Sequence, residues 1–207
     1  MDPAALFTAS SLERAHDALT SAADLWRPGE LVECSGDLSS AVTTMGAAAV
    51  RSCQLDGQPV AWVQYQDAGL YPPDLEEAGV DLDTLVVVHI PTTRAPMERV
   101  RAAELLLQSG GFGLVVLDLR HLPPRRHSTA WQRRLTQQAR EHTTGVLLLT
   151  HTRDDGPSTG PLVHTHVSAA RLRRPNGYAV AGRVLKRKGG GALDGFEESR
   201  RGPWGLV

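Results

Sequence analysis

The sequence predicts an α/β fold: a mainly parallel, twisted sheet with helices on both faces, continued by a C-terminal antiparallel hairpin. Three observations predict it. Short apolar runs near residues 30–35, 59–65, 84–90, 113–118 and 145–151 are separated by segments of helical spacing, the alternation that builds right-handed βαβ crossovers. Each run is apolar throughout instead of alternating, as strands buried on both faces are. Beyond Leu162 two extended stretches flank Arg174-Pro175-Asn176-Gly177, and Asn-Gly is a strong short-range hairpin signal.

At the N-terminus, Ser10-Ser11-Leu12-Glu13 is a capping-box pattern. It opens a leader helix within residues 1–28, with Ala15, Leu19, Ala22 and Leu25 or Trp26 on one side and Pro28-Gly29 as its stop. The core, residues 29–188, begins with an apolar strand, a turn and a helix start across Leu31 to Thr44. Pro96 stands in the first turn of a later helix that carries Met97, Val100, Ala103 and Leu107 and ends before Gly110-Gly111. A further helix spans about Thr129 to His142. The second hairpin strand, Tyr178 to Leu185, runs into Lys186-Arg187-Lys188, and residues 189–207 form a glycine-rich C-terminal segment containing Trp204.

Composition narrows the class. A chain of 207 residues is long enough for one large domain with a real core. No run approaches the ~18 apolar residues of a membrane span, and Met1 to Ser11 lacks a signal peptide's basic and apolar regions, so a cytoplasmic protein is expected. Cys34 in a strand and Cys53 at a helix end have no metal or redox spacing and read as reduced, packed thiols. Net charge is −1, yet residues 1–119 hold 6 Lys/Arg and 17 Asp/Glu whereas residues 120–207 hold 16 and 6. The basic half is suited to phosphates or an acidic protein face.

The turn after the first strand has the frame of a phosphate-binding loop without its chemistry. Against G-x-x-x-x-G-K-[ST], Gly36 and Thr43 are in register, but Ala41 stands for the second glycine and Val42 for the lysine. Without the lysine no point charge reaches the β- and γ-phosphates, and a Cβ at Ala41 limits how closely backbone N–H groups can wrap an anion.

Three segments downstream of that loop carry a family resemblance: Trp62-Val63-Gln64-Tyr65-Gln66, Pro72 to Leu85 with Gly79-Val80-Asp81-Leu82-Asp83, and Ser109 to Asp118. Their order resembles the ATPase core of the RecA recombinases. The chain is most similar to the degenerate relatives of that family, the ImuA proteins, which accompany a mutagenic translesion polymerase cassette in bacteria. The resemblance runs with gaps from about Gly29 to the C-terminus. It implies a RecA-like core in which the departures fall on the ATPase machinery. Gln66 takes the place of the glutamate that activates water and cannot act as a carboxylate base. Asp74 takes the place of the adenine-stacking tyrosine, and His151 that of the γ-phosphate-sensing glutamine. Asp118 remains at the Walker B position, a single carboxylate and a poor Mg²⁺ site alone. No cofactor, metal or catalytic residue is therefore expected.

The resemblance also implies partners. Lys186 and Lys188 match the lysines that reach across the RecA subunit boundary towards a neighbour's ATP, which makes Lys186-Arg187-Lys188 the candidate partner-binding step. Arg120 to His127 replaces a longer loop that touches single-stranded DNA in RecA. Arg125 and Arg126, with Arg133 and Arg134 on the next helix beside Trp131, are the candidate DNA contacts, combining phosphate pairing with base stacking; Trp131 reads alternatively as a core residue on the inward helix face. The loop Arg153 to Gly160 is too short and acidic to order DNA triplets, so recombinase activity is not expected. His151, His164 and His166 lack the acidic or thiol partners that a zinc site needs.

The resulting expectation is a non-catalytic RecA-like accessory protein of the DNA damage (SOS) response. It would bind RecA and an ImuB-like Y-family polymerase homologue, and single-stranded DNA is a candidate ligand. The alternative is a cell-division inhibitor of the SulA type that binds FtsZ.

Overall fold

The computed structural model describes residues 19–37, 41–120, 129–151, 156–175, 177–189 and 195–200. Within them the order is β1 (Leu31–Gly36), α1 (Val42–Leu55), β2 (Val60–Tyr65), α2 (Pro72–Glu77), β3 (Leu85–Ile90), α3 (Glu98–Gln108), β4 (Leu114–Asp118), α4 (Thr129–Glu141), β5 (Gly145–His151), β6 (Thr165–Arg174), β7 (Gly177–Arg187) and β8 (Gly195–Arg200). The strands form one eight-stranded sheet in the order β3-β2-β4-β5-β1-β6-β7-β8. β3 through β6 in that order are parallel, and β7 and β8 are antiparallel additions.

Side-chain alternation divides the core into two layers. On one face Val32, Cys34, Trp62, Val116 and Leu149 pack with Met45 and Val50 of α1. On the other Leu31, Val63, Val115, Leu117 and Leu148 pack with Val100 and Leu107 of α3 and with Trp131 and Leu135 of α4. Burying each of these side chains stabilises the fold by roughly 1.5–3 kcal/mol, which is why β1, β2, β4 and β5 tolerate apolar residues on both sides. The close seat of α1 depends on Gly46, where a Cβ would come within 2.9 Å of Trp62 Cη2.

The predicted strands and the helices over α3 and α4 are present, and the predicted antiparallel hairpin pairs Arg174 with Gly177. Three features differ from expectation or extend it. Most of the predicted leader helix, including its capping box, lies outside the described residues. Its last stretch is a single 3-10 turn, Ala22–Leu25, because Asp24 Oδ2 accepts hydrogen bonds from the backbone N–H groups of Thr20 (2.8 Å) and Ser21 (2.9 Å) and so caps a new start there. β8 continues the sheet past the hairpin. Its sequence Gly-Phe-Glu-Glu-Ser-Arg has no apolar period, and it is held through Phe196, which lies over the bare backbone of Gly182. Finally, Trp131 is only 3% exposed. It fills the core under α4 and offers no face for base stacking, which decides for the core reading of the two that the sequence leaves open.

Candidate functional site

The C-terminal ends of the parallel strands converge where ligands bind in open α/β sheets. β1 ends there at Gly36, and α1 comes after the turn. Ala41 precedes its first residue and supplies no side-chain cap. Ala41 and Val42 are both buried in the layer beneath α1. Where a P-loop lysine would extend towards phosphates, Val42 is part of the core.

The neighbouring carboxylate is already engaged. Arg120, two residues beyond the end of β4, folds back and donates from Nε to both Asp118 oxygens (3.1 Å each) and from Nη2 to Oδ2 (2.6 Å). Its backbone N–H also donates to Oδ1 at 3.0 Å. The remaining terminal nitrogen, Nη1, donates to Thr43 Oγ1 at 2.7 Å. One guanidinium thus bridges Thr43 and Asp118, the residues that the sequence resemblance aligns with the P-loop threonine and the Walker B aspartate. The Asp118 side chain is fully buried and that of Arg120 is 22% exposed. A planar fork satisfying a buried carboxylate on two edges is the geometry in which arginine outperforms lysine.

A second arginine fixes the same residue from the opposite layer. Arg99 of α3 is fully buried, donates from Nη1 to the Asp118 carbonyl oxygen, and stacks 3.6 Å above the Tyr65 ring. Burial draws its pKa down from the ordinary arginine value, opposed by Tyr65 and Asp118. Asp118 is therefore held by backbone and side chain at once. The Mg²⁺ and nucleotide that the fold family implies do not fit these residues: the metal position holds a cation belonging to the chain, and the lysine position is apolar and buried.

Other sequence-predicted positions are dispersed. Gln66 is exposed just past β2 and donates its backbone N–H to Ile90 O at 3.0 Å; Asp74 is exposed on α2. Neither makes a side-chain hydrogen bond among the described residues. His151 does approach the loop, with Nδ1 3.1 Å from Gly36 O. Arg125 and Arg126 lie outside the described residues. Arg133 is exposed, and Arg134 pairs across to Glu104 of α3 at 2.8 Å. This ion pair is solvent-facing and contributes little stability.

The basic step at the end of β7 is divided. Lys186 Nζ is turned onto its own chain, donating to Ser158 Oγ (3.3 Å) and Gly160 O (3.1 Å), and burial, then the charge of Lys188, lowers its pKa. Arg187 is half-buried and Lys188 exposed. The loop that Lys186 grips is pinned from β1 as well. Glu33, fully buried, accepts from Thr159 N (2.7 Å), Thr159 Oγ1 (2.5 Å) and Thr150 Oγ1 (2.8 Å). Beside it His166 Nε2 lies 2.7 Å from Ser35 Oγ, and His164 Nδ1 lies 3.0 Å from Glu30 Oε2. Burial lowers the pKa of both histidines; Lys186 adds to the effect at His166, where Glu33 opposes it, and Lys188 and Arg187 add to it at His164. The two histidines thus have separate partners, Ser35 and Glu30. Among the described residues no set of three or more His, Cys, Asp or Glu side chains is arranged to hold a metal. Cys34 and Cys53 are buried free thiols, that of Cys34 pushed up to about 12 chiefly by burial and that of Cys53 also raised by burial. No described helix is long and apolar enough to cross a membrane.

Sequence reasoning places Arg120 in a DNA-facing basic run and misses its inward role. The signal is its spacing: an arginine two positions after a strand-terminal aspartate can return to that carboxylate.

Fold and site together define an α/β protein with a RecA-like sheet, in which Arg120 joins Thr43 to Asp118. No protein-family model matches the chain. Protein RecA of Francisella tularensis subsp. novicida (strain U112) is 36% identical over 90 residues, which is 44% of this chain and 24% of that RecA. RecA of F. tularensis subsp. tularensis (strain SCHU S4 / Schu 4) matches to the same extent. The chain thus spans about a quarter of the length of the curated relatives it matches. The crystal structure of the RadB recombinase has the same fold, with a TM-score of 0.64 at 18% identity over 82% of this chain and 86% of that one.

Proposed function

We propose that the protein is a non-catalytic, RecA-like accessory factor of the DNA damage response, one that acts by binding. Its proposed partners are RecA and an ImuB-like Y-family polymerase homologue, and its role is to promote damage-induced (SOS) mutagenesis during translesion synthesis or to modulate recombination. Similarity to RecA and the fold shared with RadB support a role in DNA repair or recombination. The observation that carries the non-catalytic part is the Thr43–Arg120–Asp118 bridge: a site whose metal position is filled by a tethered guanidinium has no place for the cation on which phosphoryl transfer depends. Exposed Lys188 and half-buried Arg187 are the proposed contacts to RecA, with Lys186 shaping the loop behind them.

Two measurements on the full chain test the reading. ATP turnover is expected to stay at background with and without RecA and single-stranded DNA, and a pull-down is expected to retain RecA and the ImuB-like protein but not FtsZ. Turnover abolished by Asp118→Asn would overturn the first part; retention of FtsZ alone would replace the second with the SulA-like role.

A further inference from the structure

Resting on the reading that this cleft has lost its nucleotide chemistry, we propose that Arg120 is the resident cation of the site, and that a neutral residue there converts the surrounding oxygens into a site for a divalent cation of the Mg²⁺/Mn²⁺ class.

Three oxygen-bearing side chains support this. Among the described residues the fully buried Asp118 carboxylate takes three guanidinium contacts, and every one comes from Arg120. Thr43 Oγ1 accepts from the same guanidinium. Gln64 supplies an independent observation. It is 1% exposed, and its Oε1 has no hydrogen-bond partner among the described residues. Parallel pairing of β2 with β4 runs to Val63 opposite Leu117, so Gln64 lies one step further, beside Asp118 on the same face of the sheet. A buried carbonyl oxygen left unpaired costs stability, and here it belongs to the residue beside Asp118 in the strand register. Carboxylate, hydroxyl and amide oxygen are hard donors of the kind that Mg²⁺ and Mn²⁺ prefer. With Arg120 present its single positive charge and three donor nitrogens satisfy two of the three. Without it the Asp118 carboxylate would be a buried charge with no counter-ion from that edge, which destabilises the fold unless a cation from solution takes the place of the guanidinium.

The test uses MnCl₂ alone as probe, on the full chain, with free Mn²⁺ measured by electron paramagnetic resonance and folding by circular dichroism. Wild type is expected to take up no Mn²⁺. Arg120→Gln is expected to bind one per chain with a Kd tighter than about 1 mM, the weak end of oxygen-ligand sites, and to gain thermal stability on adding it. Arg120→Gln/Asp118→Asn should lose that uptake, and Arg120→Lys should show none, because the ammonium keeps a cation in place. A folded Arg120→Gln protein without uptake overturns the proposal, as does wild-type uptake abolished by Asp118→Asn. Should Arg120→Gln fail to fold alone, recovery of its folded spectrum by MnCl₂ but not by NaCl of equal ionic strength supports the proposal, and failure to recover counts against it. ATP turnover measured on the same wild-type sample separates the two readings: turnover defeats the non-catalytic assignment whatever the Mn²⁺ result, whereas a metal-free Arg120→Gln protein defeats only the cation proposal.

Discussion

Asp118→Asn distinguishes this protein from an ATPase in a simple way. In an enzyme that uses this carboxylate to hold a metal, the substitution removes turnover and leaves the fold largely intact. Here the carboxylate is a structural anion: it is fully buried and accepts from Arg120 Nε, Nη2 and the backbone N–H, while Arg99 holds its carbonyl oxygen. Removing one member of a buried ion pair costs about 3–5 kcal/mol. The Arg120 side chain is 22% exposed and can turn towards water, so the loss discounts to about 2–3 kcal/mol. At about 2–4 °C per kcal/mol for a chain of this size, the melting temperature should fall by roughly 5–10 °C. Urea and thermal unfolding monitored by circular dichroism measure it directly. Combining Asp118→Asn with Arg120→Gln should cost less than the sum of the two, because each removes the same contact. An Asp118→Asn protein as stable as wild type, within about 0.5 kcal/mol, would refute the bridge as a structural element.

Three further outcomes are expected. His166 and His164 have folded-state pKa values below the ordinary histidine value of 6.5, so the unfolded chain binds more protons between the two values and stability rises with pH there; acidification from about pH 6.5 downwards should lower the melting temperature, and His166→Gln should flatten that slope. A Cβ at Gly182 meets the Phe196 ring, so Gly182→Val should destabilise by about 1–3 kcal/mol through overpacking, with part of the loss recovered in Gly182→Val/Phe196→Ala on urea titration. Lys186→Ala should speed limited proteolysis near residues 156–160 by freeing Ser158 and Gly160 O, whereas Lys188→Ala should leave the proteolysis pattern alone and weaken RecA capture; the reverse assignment would remove the division between the two lysines.

Strands β1, β2, β4 and β5 were legible because burial on both faces writes itself as continuous apolar runs, as in Leu114 to Leu117 and Val146 to Leu149; β3, at the sheet edge, is as apolar in sequence but only partly buried. The hairpin was legible because few residues suit its turn as asparagine and glycine do. β8 was not, since one phenylalanine among polar residues carries no period and its partner is a glycine on the preceding strand. Trp131 was ambiguous in sequence because flanking arginines suit a surface helix and a core aromatic equally; only the helix phase against Leu135 and Ala139 places it inward. At the site, Ala41 and Val42 were readable as substitutions, but what fills the space they leave was not. That depends on Arg120 crossing from the end of β4 to Thr43 on α1, a contact between residues 77 apart in the chain, which no local pattern encodes.

Equilibrium titration of the wild-type full chain with ATP, in the presence and absence of Mg²⁺, tests most directly whether a tethered guanidinium has displaced the metal. No saturable binding up to about 1 mM and no dependence on Mg²⁺ is the predicted result. Micromolar ATP binding that requires Mg²⁺ and disappears in Asp118→Asn would contradict it.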